Sequence, residues 1–117
     1  MAIKALNPLD PVWYIPRSEV GQENPTRFRI RGLDGQAMGY VAPEFIVDEH
    51  HNIKNITGKG IDLALTYGLV DWENVANDKG DVKFNRARFG LLPYDIRSEL
   101  AVEIVKLSAP SEDERKN

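Results

Sequence analysis

The sequence predicts an α+β fold: an N-terminal two-stranded antiparallel ribbon, then a small bundle of three to four helices, the last at about 94–109. Three observations predict it. TRFRIRG (26–32) alternates strictly, with Arg27, Arg29 and Arg31 on one face and Phe28 and Ile30 on the other, the period of a half-buried strand. VWYIP (12–16) is rich in strand formers and ends at a proline. PYDIRSELAVEIVKLSA (93–109) spaces Ile96, Leu100, Ile104 and Leu107 as one apolar stripe, with Arg97, Glu99, Glu103 and Lys106 polar.

Along the chain, residues 1–11 mix short apolar residues with Pro8 and Pro11 and read as an irregular lead-in. RSEVGQENP (17–25) is polar, with Gly21 and Asn24-Pro25 as turn signals, and joins the two strands as a long loop. A lone hairpin is marginal in water, so the Phe28/Ile30 face must pack on something, and helices are the expected cover. Leu33-Asp34-Gly35 punctuates the exit from the second strand. In QAMGYVAPEFIVDEH (36–50), Met38, Val41, Phe45 and Ile46 stand near helical spacing, while Gly39 and Pro43 predict a kink or two short helices. HNIKNITGKG (51–60) has loop composition. IDLALTYGL (61–69) places Ile61, Leu65 and Leu69 at i, i+4 and i+8, with Gly68 near the stop. Asn85 is a good N-cap for a short turn over RARFGLL, Pro93 suits the first turn of the last helix, and Pro110 ends it. Residues 1–110 therefore read as one α+β domain and 111–117 as a charged, flexible tail.

Composition narrows the function classes. A chain of 117 residues fits one domain, and 42% hydrophobic with 28% charged residues excludes wholesale disorder. The absence of cysteine excludes disulfides, thiolate nucleophiles and Cys-based zinc sites. No apolar run approaches the roughly 18 residues of a membrane helix, and no signal pattern opens the chain, so a cytoplasmic protein is expected. A net charge of −3 gives no global pull toward nucleic acid.

Candidate chemistry is sparse. GLVDWENVANDKGDVKFN (68–85) is crowded with Asp and Asn, yet neither register fits a calcium loop: counting from Asp71 puts Val75 and Ala76 where a ligand and a glycine are needed. The stretch reads instead as a connector. It has a turn at Asn77-Asp78-Lys79-Gly80, an extended piece with Val82 and Phe84, and Trp72 and Val75 one helical turn apart as core anchors. His50 and His51 follow Asp48 and Glu49, but neighbours on a helix point about 100° apart and cannot share an ion; a solvated helix end is the expectation. Gly58-Lys59-Gly60 lacks the spacing and the leading strand of a phosphate loop. With no nucleophile motif and no cofactor signature, the expectation is a protein that is not an enzyme. The best surface signal is the row Arg27, Arg29 and Arg31, joined by Arg17 from the loop. Such a row is either solvated or receives an acidic or polar protein partner, and no aromatic interleaving favours nucleic acid.

Three stretches, YIPRSEVGQENPTRFRIRGLDG, IDLALTYGLVDWENVANDKGDVKFN and LLPYDIRSELAVEIVKLSAPSEDERKN, resemble small proteins of the tail assembly chaperone type from long-tailed bacteriophages. The resemblance touches most of the chain except residues 36–58 and rests on several weak motifs, such as NP-T-x-F at 24–28 and LP-x-x-I-x-x-EL at 92–100. It implies a cytoplasmic assembly factor of the infected host that coats the long, helical tape measure protein, delivers it to the polymerising tail tube proteins, and self-associates. It also implies programmed slippage of ribosomes near the end of the reading frame, for which Arg115-Lys116-Asn117 can supply a slippery heptamer. The competing expectations are a head-to-tail or tail-completion protein retained in the virion, and a small phage protein acting on a host factor.

Overall fold

A computed structural model describes residues 10–108; the tail read over 111–117 and most of the lead-in lie outside them. The fold is mixed α+β with antiparallel strands in small sheets. Strand β1 (Val12–Tyr14) leads through a 3-10 turn (Arg17–Glu19) to β2 (Arg27–Ile30), and the two pair antiparallel with Trp13 opposite Arg29. In β2 the alternation fixes the faces as expected: Phe28 and Ile30 are buried, while Arg27 is half-buried and Arg29 exposed.

The ribbon does not stand apart from the rest of the chain. Strand β5 (Leu69–Glu73) pairs with the other edge of β2, giving a three-stranded sheet in the order β1-β2-β5. Within the stretch read as a connector (68–85), residues 69–73 are thus a strand, and Trp72 lies in that strand rather than in a helical turn. A register shift between Arg29 and Ile30 breaks its period-two pattern, so Trp72 faces the core without regular alternation before it. The turn at Asn77–Gly80 is a two-residue hairpin between β6 (Ala76–Asn77) and β7 (Gly80–Asp81), and Gly80 takes the positive φ of +116° that only glycine adopts freely.

Residues 36–60 differ most from expectation. Helix α1 (Gly35–Val41) is capped by the Asp34 carboxylate, which accepts from the Ala37 amide at 2.8 Å. Pro43 then sits in a 3-10 turn (Ala42–Glu44), and the chain turns extended: β3 (Phe45–Val47) pairs antiparallel with β4 (Ile53–Ile56). Phe45 and Ile46 are strand residues rather than helical ones, and residues 53–56 are a strand rather than loop. Helix α2 (Gly58–Gly68) starts earlier than its apolar stripe suggested, because Thr57 caps it through the Gly60 amide at 3.1 Å. After a 3-10 turn (Arg86–Leu91), capped by Asn85 through the Ala87 amide, α3 (Tyr94–Ser108) closes the described chain.

One buried cluster joins these parts. Phe28 and Ile30 from β2, Leu69 and Trp72 from β5, Ile61 and Leu65 from α2, and Leu100 and Ile104 from α3 all belong to it. Each such side chain contributes about 1.5–3 kcal/mol on leaving water. Trp72 meets Phe28 and Phe84 edge to face, with ring centroids 6.3 and 5.0 Å away, and its indole N–H donates to the Val82 carbonyl at 2.7 Å. Leu107, placed on the core stripe by spacing, is instead 39% exposed.

Candidate partner-binding site

Strand parity turns the arginines of β2 away from the core, but the four candidate arginines do not form one surface. Arg27 and Arg29 share the outer face of the sheet and flank Trp13, their guanidinium carbons 4.6 and 5.9 Å from the centre of its ring. An arginine over an exposed indole is worth about 0.5–1 kcal/mol. Arg27 is also paired with Glu73, its partner in register on β5; Nε donates to the carboxylate at 3.1 Å. Both side chains are over a third exposed, so the pair itself adds between zero and about 1 kcal/mol. Arg29 lies opposite Asp71, but that carboxylate accepts from the Trp72 amide at 2.8 Å. Among the described residues the Arg29 guanidinium has neither a hydrogen bond nor an ion pair. Of the row, it is the one guanidinium held only by its approach to the Trp13 ring.

The other two arginines are elsewhere. Arg31 Nε donates to the Tyr67 carbonyl at 3.1 Å and closes the C-terminal end of α2, a position its positive charge favours. Arg17 sits in the first 3-10 turn, its backbone N–H donating to Glu99 on α3 at 3.0 Å. Glu99 accepts a second hydrogen bond from the Tyr14 hydroxyl. Burial first, and then that hydrogen bond to a carboxylate, raise the Tyr14 pKa above its usual value. Trp13 was not among the sequence candidates, and its place between Arg27 and Arg29 overturns the expectation that no aromatic side chain interleaves with the arginine row. The signal was present, since antiparallel pairing of VWY with RFRI at this register places Trp13 on the arginine face.

The remaining candidates resolve into structural roles. His50 and His51 occupy the loop between β3 and β4, not a helix end. Asp48 shapes this loop: its carboxylate accepts from the amides of His50 and Asn52 at 2.8 and 2.9 Å, and these bonds, the Asn52 backbone foremost, hold its pKa below the usual value. At Gly58-Lys59-Gly60 the helix N-terminus is already occupied by Thr57, whose hydroxyl donates to Glu44 at 2.6 Å. Among the described residues no group of three or more His, Asp or Glu side chains is placed to hold a metal ion. A shallow cleft of about 240 Å³ between Thr26, Phe28, Val75, Leu92 and Ile96 has one titratable group, Glu19, and its carboxylate already accepts from the Thr26 amide at 3.0 Å. That volume is below the roughly 300–1,000 Å³ usual for ligand pockets. No described helix is long and apolar enough to cross a membrane.

Comparison with known protein families, curated proteins and solved structures gives no match.

Proposed function

We propose that this chain is a non-enzymatic tail assembly chaperone of a long-tailed bacteriophage, acting in the host cytoplasm on the tape measure protein during tail morphogenesis. The observation that carries a binding role is the outer face of the three-stranded sheet. Trp13, 38% exposed, lies there between two guanidinium groups, one of them uncommitted, with Asp71 and Glu73 beside them. An aromatic anchor ringed by charge is the composition of a protein-binding hot spot. It suits an apolar stripe bordered by acidic residues, such as a long helix presents before its final partner encloses it. The sequence resemblance supplies the identity of that helix, and the tail tube proteins as the recipients.

The test is capture of the tape measure protein in a co-expression pull-down. Arg29→Glu leaves the fold intact, because the side chain points away from Phe28 and Ile30. Capture should fall by about tenfold for a charge reversal at such a site, and the remaining binding should lose its salt dependence. Unchanged capture at low salt, for both Arg29→Glu and Trp13→Ala, makes the row a plain solvent face. Presence of the chain in purified particles would move the assignment to a tail-completion protein.

A further inference from the structure

Strand β1 ends the three-stranded sheet, so one of its edges pairs with β2 and, among the described residues, no strand pairs with the other. Such an edge offers a row of backbone N–H and C=O groups to an extended chain. Pro11 and Pro16 bracket it and confine any addition to residues 12–15, of which Val12, Trp13 and Ile15 are 44%, 38% and 37% exposed. Helix α3 runs back along this edge. Its Glu99 accepts from the Tyr14 hydroxyl and the Arg17 amide, and its last residue, Ser108, accepts from the Leu33 amide just beyond β2. Glu103, one helical turn after Glu99, therefore lies toward Val12, the residue paired with Ile30. A shallow groove of about 390 Å³ along α3 holds both carboxylates together with Asp95, Val102 and Arg17.

Edge and groove together select the occupant. A strand added to β1 turns alternate side chains to the two faces of the sheet: those beside Val12 and Tyr14 point toward α3, and the one beside Trp13 points outward. Alternate residues of a strand stand roughly 7 Å apart, and carboxylates one helical turn apart roughly 6 Å, so two successive inward positions match Glu99 and Glu103. Glu99 accepts both of its bonds on one oxygen, and Glu103 has only an exposed contact with Lys106 at 3.4 Å, which water screens. We propose that β1 receives an extended segment of a partner protein, with lysine or arginine at two alternate positions facing Glu99 and Glu103 and an apolar residue between them beside Trp13. The resident bases, Arg17 and Lys106, stand toward the two ends of this stretch and leave its middle acidic. Other occupants fit less well. The strand β1 of a second copy brings no base, a helix has no backbone groups to spare for the edge, and the carboxylates repel a nucleic acid. This inference concerns the edge of the sheet and does not depend on the identity of what binds its outer face.

Isothermal titration calorimetry on the full chain tests it, with a short capped peptide alternating lysine and valine as the probe. The peptide should bind, and bind more weakly as salt rises. The same peptide with glutamate for lysine should not bind. N-methylation of its central amides keeps every charge but removes the donors to the edge, and should weaken binding at least about tenfold. Glu103→Lys should weaken it about tenfold, while Lys106→Ala, which leaves Glu103 to the peptide, should tighten it about two- to threefold. Far-UV circular dichroism checks that both variants keep their helices, and the N-methylated peptide reads the edge on the unsubstituted chain. Absence of binding by the lysine–valine peptide overturns the proposal. So does equal binding of the N-methylated peptide or of spermine, which would make the groove a mere sink for positive charge, or binding indifferent to both variants.

Discussion

Gly68 ends helix α2, but not because the chain needs a left-handed residue there, for its φ is not positive. A methyl group on it would lie 2.5 Å from Ile104 Cγ2, 2.8 Å from Ile104 Cδ1 and 3.0 Å from the Arg31 carbonyl oxygen. Ile104 is fully buried, and the Gly68 carbonyl accepts from the Arg31 amide at 2.9 Å, so neither neighbour can withdraw freely. Gly68→Ala should therefore destabilise by about 1–3 kcal/mol, as overpacking does, despite the better helix propensity of alanine. Chemical denaturation measures it. Adding Ile104→Ala should cost less than the sum of the two single changes, because the clash goes with the side chain. Additive costs would mean the methyl group is accommodated elsewhere. Position 68 was legible in the sequence as a helix stop; its packing role was not, since only the crossing of α2 and α3 brings Ile104 there. Asn74 is similar. Its φ of 60° and its hydrogen bonds with Pro25 and Thr26 exist only because β5 returns to β2.

At the scale of elements, β1 is a three-residue edge strand, and its end is tied to α3 by Glu99, which accepts from the Tyr14 hydroxyl and the Arg17 amide. The raised pKa of Tyr14 sets the sign of the pH dependence. A group whose pKa is higher folded than unfolded contributes fully below the unfolded value, here about 10, and loses that contribution as pH rises through the folded value. Stability should thus fall above about pH 10, and Tyr14→Phe should flatten that part of the profile while losing the bond at neutral pH. Equal alkaline slopes for both proteins would show that Tyr14 is not the titrating group. Elements with one clean period, β2 and α3, were readable because a single face of each is buried. β5 was not, because the register shift puts Val70 and Asp71 between its two buried residues and leaves Trp72 and Val75 at helical spacing. β3 and β4 were not, because strands of three and four residues carry too little pattern to outweigh the spacing from Met38 to Ile46. The arginine face was legible from the alternation of β2. Its division among Arg27, Arg29, Arg31 and Arg17 depended on partners from β5, α2 and α3.

Across the whole molecule, pairings distant in sequence hold the fold together. β2 joins β5 across some forty residues, α2 packs on α3, and the same buried cluster contains all four elements. Such a core leaves no part that keeps its apolar face covered when another departs, so the described region should unfold as one cooperative unit. Leu100 tests this, because it is fully buried on α3 yet belongs to the cluster that also contains Trp72 on the sheet. Leu100→Ala should cost about 2–5 kcal/mol. More tellingly, the loss should appear identically in far-UV circular dichroism, which reads the helices, and in the fluorescence of Trp72, which reads the sheet. A Trp13→Phe background leaves Trp72 as the only indole, since the chain has two tryptophans. Trp72, 5% exposed, should resist quenching until the transition. If α3 melted first, with helical signal lost while Trp72 stayed shielded, the cooperative core would be wrong. The outer side of α3 would then belong to a helix that can detach, rather than to a fixed wall of the fold.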